Sequence, residues 1–228
     1  MHQIHAFFET RQTIFLSDSM DITANILQTS IDFLMTVLRG DPTDDFFQFF
    51  SSIEAGSILG LLEEEKKVFW INIYNALVQI ELHEMTSEKV DKSIFSKKVI
   101  EIAGESMSLD NIEHGILRGN FWKYGLGFLP GGYLNKKNKN WKSKRLEPRI
   151  HFQLNCGAAS CPVIRPLQIA TLETELNLGE EDFIISETRV DENAKKFVVS
   201  RLFLFYIKHF GGVKGIRKRL AKHFPGKN

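Results

Sequence analysis

The two cysteines mark the part of the sequence whose residues are best suited to chemistry. Cys156 and Cys161 lie five positions apart, and the chain contains no other cysteine. Apolar and polar side chains alternate over residues 149–155, which predicts a half-buried strand that ends at Asn155. The small residues after it predict a tight turn or a helix start with clustered backbone N–H groups. Because such groups stabilise a thiolate, Cys156 is a candidate nucleophile.

The turn that follows the predicted strand also offers room for a substrate. Candidate binding positions here are His151, Asn155, Gly157 and Ser160, and the N–H groups near Gly157 could form an oxyanion hole. Cys161 precedes a proline and is interpreted as structural. The alternative for Cys156 is a small buried hydrophobic residue without reactivity. A metal site is disfavoured, because His151 and the two cysteines lack a usual ligand spacing and structural zinc normally takes four ligands.

A reactive thiol needs a base, and the sequence offers two histidines. His151 lies five positions before Cys156, but an extended strand of that length spans roughly 15 Å. It would therefore serve only if the chain folded back at Asn155. His114 comes from another element and is geometrically freer, since catalytic groups commonly come from distant parts of a chain.

A predicted helix over residues 109–118 carries His114 next to a carboxylate. Glu113 falls on the same arc as the apolar residues of this helix, and a carboxylate that faces a core requires a partner. We interpret Glu113 as the group that orients His114, with a purely structural ion pair as the alternative. Arg118, one turn beyond His114, either binds an anion or is solvated.

The strongest helical pattern, over residues 66–85, predicts a buried central helix, because apolar side chains surround it almost completely. Asn72, Asn75, Gln79 and His83 form one narrow polar stripe on it. A solvent-facing stripe is one interpretation, although solvated faces are usually built of Lys and Glu. The other is that Asn72 and Asn75 clamp a neighbouring loop at the edge of a site, because buried amides need hydrogen-bond partners.

The remaining patterns predict a helix-dominated α+β single domain with a small antiparallel sheet. Residues 119–149 are rich in glycine and lysine and predict a long exposed loop or lid. Further predicted elements are helices at 21–39, 44–50, 54–62, 171–188, 201–210 and 213–223, a hairpin at 97–109 and a strand at 196–199. We divide the chain into an N-terminal helical segment (1–62), a core domain (63–210) and a basic C-terminal helix and tail (211–228).

Three motifs, in this order, resemble the domain of unknown function 547 family. They are Phe69-Trp70-Ile71-Asn72-Ile73-Tyr74-Asn75, the segment from Ser108 to Arg118, and the segment from Pro148 to Pro162. The resemblance runs from about Glu63 to Phe210. The family occurs in bacteria and, attached to leucine-zipper segments, in plants. The resemblance implies no established activity, but it marks the following positions as motif residues: Asn72, Asn75, Glu113, His114, Arg118, His151, Asn155, Cys156 and Cys161.

Composition limits the partners that we expect. Twenty-nine Lys and Arg balance twenty-eight Asp and Glu to a net charge of +1, so no global field favours nucleic acid or a membrane surface. Basic residues do cluster over 136–145, beside Trp141, and after residue 195, yet no nucleic-acid motif accompanies them. No apolar run reaches the roughly 18 residues that span a bilayer. Without an export signal, we expect a cytoplasmic protein that needs no cofactor.

The leading functional hypothesis is a cysteine-dependent hydrolase or acyltransferase that acts on a small molecule or peptide. In it Cys156 is the nucleophile, His114 the base and Glu113 the orienting group. The alternative is a non-catalytic scaffold whose motif residues line a ligand groove or hold the fold together. Neither the substrate nor the oligomeric state follows from the sequence.

Overall fold

A computed structural model describes residues 22–85, 92–157, 161–191, 193 and 196–226. The fold is the predicted helix-dominated α+β domain, with two small antiparallel hairpins. In chain order the regular elements are α1 (22–39), α2 (Asp44–Ser52), α3 (Ala55–Gly60), α4 (Glu63–His83), β1 (Lys98–Ile102), β2 (Glu105–Ser108), a π-helix (Asn111–Leu117), a 3-10 helix (Pro148–Phe152), α5 (Leu172–Glu187), β3 (Arg189–Asp191), β4 (Lys196–Val198), α6 (Leu202–Phe205) and α7 (Gly212–His223).

Helix α4 is the predicted central helix and runs through the main core. It begins where the Glu65 carboxylate accepts the Leu62 N–H at 2.7 Å, which satisfies one of the N–H groups left open at a helix start. Every side chain from Lys66 to Val78 is buried. Its aromatic residues pack onto α2 and the loop before the 3-10 helix, for example through Phe50 against Phe69, with ring centroids 6.0 Å apart.

The hairpin β1–β2 leads directly into the segment that carries Glu113 and His114. Asn111 and Ser108 cap this segment reciprocally: the Asn111 N–H donates to Ser108 Oγ at 3.2 Å, and the Ser108 N–H donates to Asn111 Oδ1 at 2.9 Å. Ser108 therefore satisfies one of the N–H groups left open at the start of the segment. The segment is helical as expected, but Asn111–Leu117 adopts π geometry. This geometry is rare in proteins, and where it occurs it is often found at functional sites.

The predicted strand over residues 149–155 is wrong, since a 3-10 helix covers Pro148–Phe152. Pro148 occupies its first turn, and the Glu147 carboxylate accepts the Arg149 N–H at 3.0 Å. The alternation that predicted a strand does not separate an exposed face from a buried one, because His151 is as buried as its apolar neighbours. Proline and a capping carboxylate determine the local structure instead.

The loop over residues 119–149 is only partly the exposed lid that its composition predicts. It lacks long regular elements, but Trp141 is buried and stacks on Trp70 of α4, with ring centroids 6.0 Å apart. Asn138 and Ser143 are also buried. Trp141, the aromatic residue of the basic segment, is therefore part of the core and is unavailable for stacking on a nucleic-acid base.

A second apolar cluster joins the C-terminal third of the chain to the 3-10 helix. Phe152 contributes to it from the 3-10 helix, together with α5, α6 and α7. The predicted helix over 201–210 is regular only at Leu202–Phe205 and continues as turns. Within the described ranges, no helix has the length and apolar character required to cross a membrane.

Candidate functional site

Two asparagines of α4 hold backbone segments by paired hydrogen bonds. Asn72 donates to the Leu167 carbonyl at 3.0 Å and accepts the Leu167 N–H at 2.8 Å. Asn75 donates to the Gln153 carbonyl at 2.9 Å and accepts the Asn155 N–H at 3.0 Å. Both amides are fully buried, so the solvent-facing interpretation is wrong for them and the clamp is confirmed. The Asn75 clamp fixes the chain immediately before Cys156.

Asn155 ties together the two parts of what we call the cysteine loop, the described residues 155–157 and 161–162. Its amide donates to the Pro162 carbonyl at 3.1 Å, and its Oδ1 accepts the Gly157 N–H at 2.9 Å. Gly157 has a φ of +80°, and a Cβ there would lie 2.9 Å from a methyl group of Leu82. The positive φ favours glycine at this turn, and any larger residue would also force the Leu82 side chain to shift. Predicted binding residue Ser160 lies outside the described residues.

The two thiols of the cysteine loop are in direct contact. Their sulfur atoms are 3.0 Å apart, and the Cys156 N–H donates to Cys161 Sγ at 3.1 Å. Cys156 is exposed and Cys161 is half-buried. The interpretation of Cys156 as a buried hydrophobic residue is therefore wrong. The N–H groups of Cys156 and Gly157 are both occupied, so an oxyanion at this place would have to displace Cys161 Sγ or Asn155 Oδ1.

Glu113 lies at the centre of a buried polar cluster. Its carboxylate accepts hydrogen bonds from Tyr74 Oη and Tyr206 Oη, each at 3.0 Å, and lies 3.7 Å from Arg118 Nη1. Burial favours a higher pKa for Glu113, but the charge of His114 when it is protonated, the charge of Arg118 and the two tyrosine hydrogen bonds together hold the pKa below its ordinary value. Glu113 is therefore an anion inside the protein.

His114 faces protein groups at both ring nitrogens. Arg118 Nη1 contacts Nδ1 and can only donate, so Nδ1 accepts and the proton of the neutral ring lies on Nε2. That nitrogen is 3.5 Å from Asp110 Oδ1, while Nδ1 is 3.4 Å from Glu113 Oε1. Burial lowers the pKa of His114 below its ordinary value, despite the attraction of Glu113. The ring is neutral near pH 7, and a proton on it would lie between two carboxylates.

Arg118 is fully buried, so the solvated alternative for it is wrong. Its Cζ lies 4.0 Å from the centre of the Tyr206 ring. Its Nε and Nη2 atoms have no hydrogen-bond partner among the described residues. The anion that Arg118 pairs with in this structure is the Glu113 carboxylate of the protein itself.

His151 belongs to the same region, although the predicted strand would have pointed it elsewhere. Its ring stacks on Tyr206 with centroids 3.9 Å apart, and its Nε2 lies 3.0 Å from His209 Nδ1. Burial, followed by the charge of Arg118, moves the pKa of His151 well below its ordinary value and that of His209 to about 4. Both rings are neutral near pH 7.

Electrostatic coupling links the cysteine loop to the buried cluster. Burial is the main reason that the pKa values of Tyr74 and Tyr206 lie well above their ordinary value, and the negative charge of Glu113 comes next. Charge at Cys156 raises both further. Negative charge at Cys156 therefore disfavours ionisation of the two hydroxyl groups that bind Glu113.

A family profile described as "Protein of unknown function, DUF547" matches residues 58–184. The chain belongs to this family. The match begins slightly before the expected start at Glu63, ends at residue 184 instead of the expected Phe210, and contains all three motif segments of the resemblance. No curated protein and no solved structure matches the chain. The DUF547 profile therefore covers the two asparagine clamps, the π-helix and the cysteine loop, but it ends before Tyr206 and His209.

Sequence reasoning missed four residues of this DUF547 site. Tyr74 had a detectable signal, because a tyrosine on an otherwise apolar buried helix needs a partner for its hydroxyl group. Asp110 lies four positions before His114, the spacing of helical neighbours. Tyr206 and His209 share a predicted helix turn, but no pattern connects that turn with Glu113. In the part of the chain that the structure describes, no three metal-binding side chains converge on one point.

Proposed function

We propose that the protein is a cysteine-dependent hydrolase or acyltransferase with Cys156 as its nucleophile and a small molecule or peptide as its acyl donor. The observation that supports this proposal best is that α4 reaches both groups: its Asn75 binds the Asn155 N–H next to the exposed Cys156, and its Tyr74 binds the Glu113 anion. Nucleophilic catalysis needs an accessible thiol and an acid–base group in one region of the protein, and α4 connects the two.

His114 is the proposed base. Its lowered pKa keeps the ring unprotonated near pH 7, so that it can accept the thiol proton. Glu113 and Asp110, which lie 3.4 Å and 3.5 Å from its two nitrogens, would stabilise the imidazolium that forms. Because Arg118 donates to Nδ1 in the resting arrangement, proton uptake at that atom requires Arg118 to move towards Glu113.

The proposed reaction has two steps. The Cys156 thiolate attacks the acyl carbonyl carbon, and the leaving group departs with the proton held by His114. Water or an acceptor amine or alcohol then attacks the thioester and passes its own proton through His114 to the departing Cys156 sulfur, which releases the acyl product. Asn75 and Asn155 are the proposed positioning residues, because they hold the backbone on either side of Cys156.

Mass spectrometry of the intact protein tests this proposal with a panel of activated thioesters. We expect the wild-type chain to accumulate one acyl group, Cys156→Ser none, and Cys161→Ser one group at an unchanged rate. Loss of general base catalysis in His114→Gln should slow acylation by roughly 100-fold. A wild-type chain that takes up no acyl group from any donor, or at the same rate as His114→Gln, would contradict the proposal.

A non-catalytic scaffold is the second candidate. It is favoured by the use of the motif amides for backbone clamps and by the protein groups at both nitrogens of His114. For a scaffold we expect Glu113→Gln and His114→Gln to lower stability without any effect on thiol reactivity. The acylation rates above therefore distinguish the two functions.

A further inference from the structure

The cysteine loop contains a second thiol that acyl transfer does not use. Cys161 Sγ lies 3.0 Å from Cys156 Sγ and accepts the Cys156 N–H at 3.1 Å. A hydrogen bond from a backbone N–H favours a sulfur anion over a neutral thiol. The loop thus places a thiol with stabilised anionic character directly against an exposed one.

We propose that Cys156 and Cys161 are a redox modification site, at which a low-molecular-weight disulfide oxidises them to a reversible intramolecular disulfide. This inference goes beyond the proposed function and does not depend on it, because it requires two thiols in contact but no base and no acyl donor. If Cys156 is also the nucleophile, the disulfide blocks acyl transfer.

The hydrogen bonds of Asn155 hold the loop in a form that favours ring closure. The Asn155 amide binds the Pro162 carbonyl at 3.1 Å, so the residues just outside the two cysteines are already together. The Asn75 clamp fixes the same point to α4 through the Asn155 N–H. Even a short flexible tether gives an effective concentration in the range of about 1 mM, and a preformed contact exceeds that value.

The exchange takes place in two balanced steps. The Cys156 thiolate attacks one sulfur of the oxidant, which forms a mixed disulfide and releases one small thiolate. The Cys161 thiolate then attacks Cys156 Sγ of that mixed disulfide, which forms the Cys156–Cys161 bond and releases the second small thiolate. The protein loses two electrons and two protons, and the disulfide is reduced to two thiols. Because Cys156 is the more exposed of the two, it reacts first with the oxidant, and Cys161 is the resolving cysteine that displaces the small thiol.

Oxidised glutathione is the probe for the test. The full chain is incubated with it, the remaining thiols are blocked with N-ethylmaleimide, and the mass of the intact protein is measured by mass spectrometry. Because the chain has only two cysteines, a mass lower by two hydrogen atoms, without maleimide, identifies the Cys156–Cys161 disulfide. We expect this species to exceed the glutathione adduct by at least tenfold at about 1 mM total glutathione. Stable glutathione adducts or disulfide-linked dimers in its place would overturn the proposal.

Two variants assign the roles within the loop. Cys161→Ser should stop at one glutathione per chain, located on Cys156. Asn155→Ala should lower the ratio of disulfide to adduct about fivefold, the equivalent of roughly 1 kcal/mol for one lost hydrogen bond. Asn140→Ala, on an exposed part of the loop over 119–149, is the matched control and should leave the ratio unchanged. An adduct on Cys161→Ser that forms no faster than on Cys156→Ser would contradict the order of attack.

Discussion

The buried Glu113 cluster and the cysteine loop hold their reactive groups in opposite ways. In the cluster, tyrosine, histidine and arginine side chains surround one carboxylate, and burial and neighbouring charges determine the ionisation of each group. In the loop, a few hydrogen bonds to backbone atoms hold an exposed thiol. The cluster has acid–base groups but little access to solvent, whereas the loop has access but no base of its own.

Helix α4 connects these two regions. Asn75 connects the two regions, because it belongs to the same helix as Tyr74 and binds the backbone on the N-terminal side of Cys156. A reaction that needs both a thiol and a base would depend on this connection. A scaffold would need each region only for its stability. Changes in the cluster, in the connection and at the histidine pair can therefore separate the two accounts.

The largest expected effect is on the stability of the cluster. Arg118→Met removes the only arginine within 4 Å of Glu113 among the described residues and leaves a buried anion with neutral partners. We expect the free energy of unfolding to fall by about 3–5 kcal/mol, as measured by urea denaturation. Arg145→Met, at an exposed position, is the matched control and should change it by at most about 0.5 kcal/mol. Equal stability of the two variants would show that Glu113 does not require Arg118.

A smaller loss is expected at the connection between the two regions. Asn75→Leu leaves the Gln153 carbonyl and the Asn155 N–H without their partner, and we expect a loss of about 2–3 kcal/mol in the same urea experiment. The reactivity of Cys156 should change with it, because the loop loses its attachment to α4.

Gln79→Leu is the control for Asn75→Leu, since Gln79 belongs to the same polar stripe but is partly exposed. It should change the free energy of unfolding by at most about 0.5 kcal/mol. If Asn75→Leu were tolerated equally well, the clamp would not contribute to stability.

The smallest expected effect is on the pH dependence of stability. His209 has a pKa of about 4 in the folded protein, below the ordinary value of 6.5, and is therefore neutral there when the unfolded chain is already protonated. Stability is fully present above pH 6.5 and falls as the pH drops towards 4, with a slope of up to ~1.4 kcal/mol per pH unit for one proton. His151 adds to this loss in the same direction.

His209→Phe removes one of these titrations. We expect the slope of stability against pH below 6.5 to decrease by up to one proton's contribution, as measured by urea denaturation across the pH range. An unchanged slope would indicate that His209 titrates alike in the folded and unfolded chains.

Periodicity predicted the elements that position the site better than it predicted the site's local geometry. The buried central helix and the clamping role of Asn72 and Asn75 follow from side-chain pattern and from the cost of burying an amide. The 3-10 helix at Pro148–Phe152 does not, because both of its faces are buried and alternation then carries no information. The argument that an extended strand holds His151 too far from Cys156 no longer applies, because residues 148–152 form a 3-10 helix.

The polar partners of Glu113 show a second limit of sequence reasoning. That a buried carboxylate needs partners is predictable, and Arg118 and His114 lie within one or two turns of it. Tyr206 lies 93 positions away and comes from an irregular segment, so only the packing of the second apolar cluster brings it to Glu113. The contact between the two thiols likewise depends on the hydrogen bonds of Asn155, which no spacing rule predicts.

The dependence of Cys156 reactivity on His114 tests the central claim most directly. The measurement is the rate of iodoacetamide alkylation against pH in the Cys161→Ser background, which leaves Cys156 as the only thiol. We expect alkylation near pH 7 to be up to about 30-fold faster with His114 than in His114→Gln, because a thiol with the ordinary pKa is only about 3% ionised at that pH. Two coincident profiles that rise only near the ordinary thiol pKa of about 8.5 would contradict it.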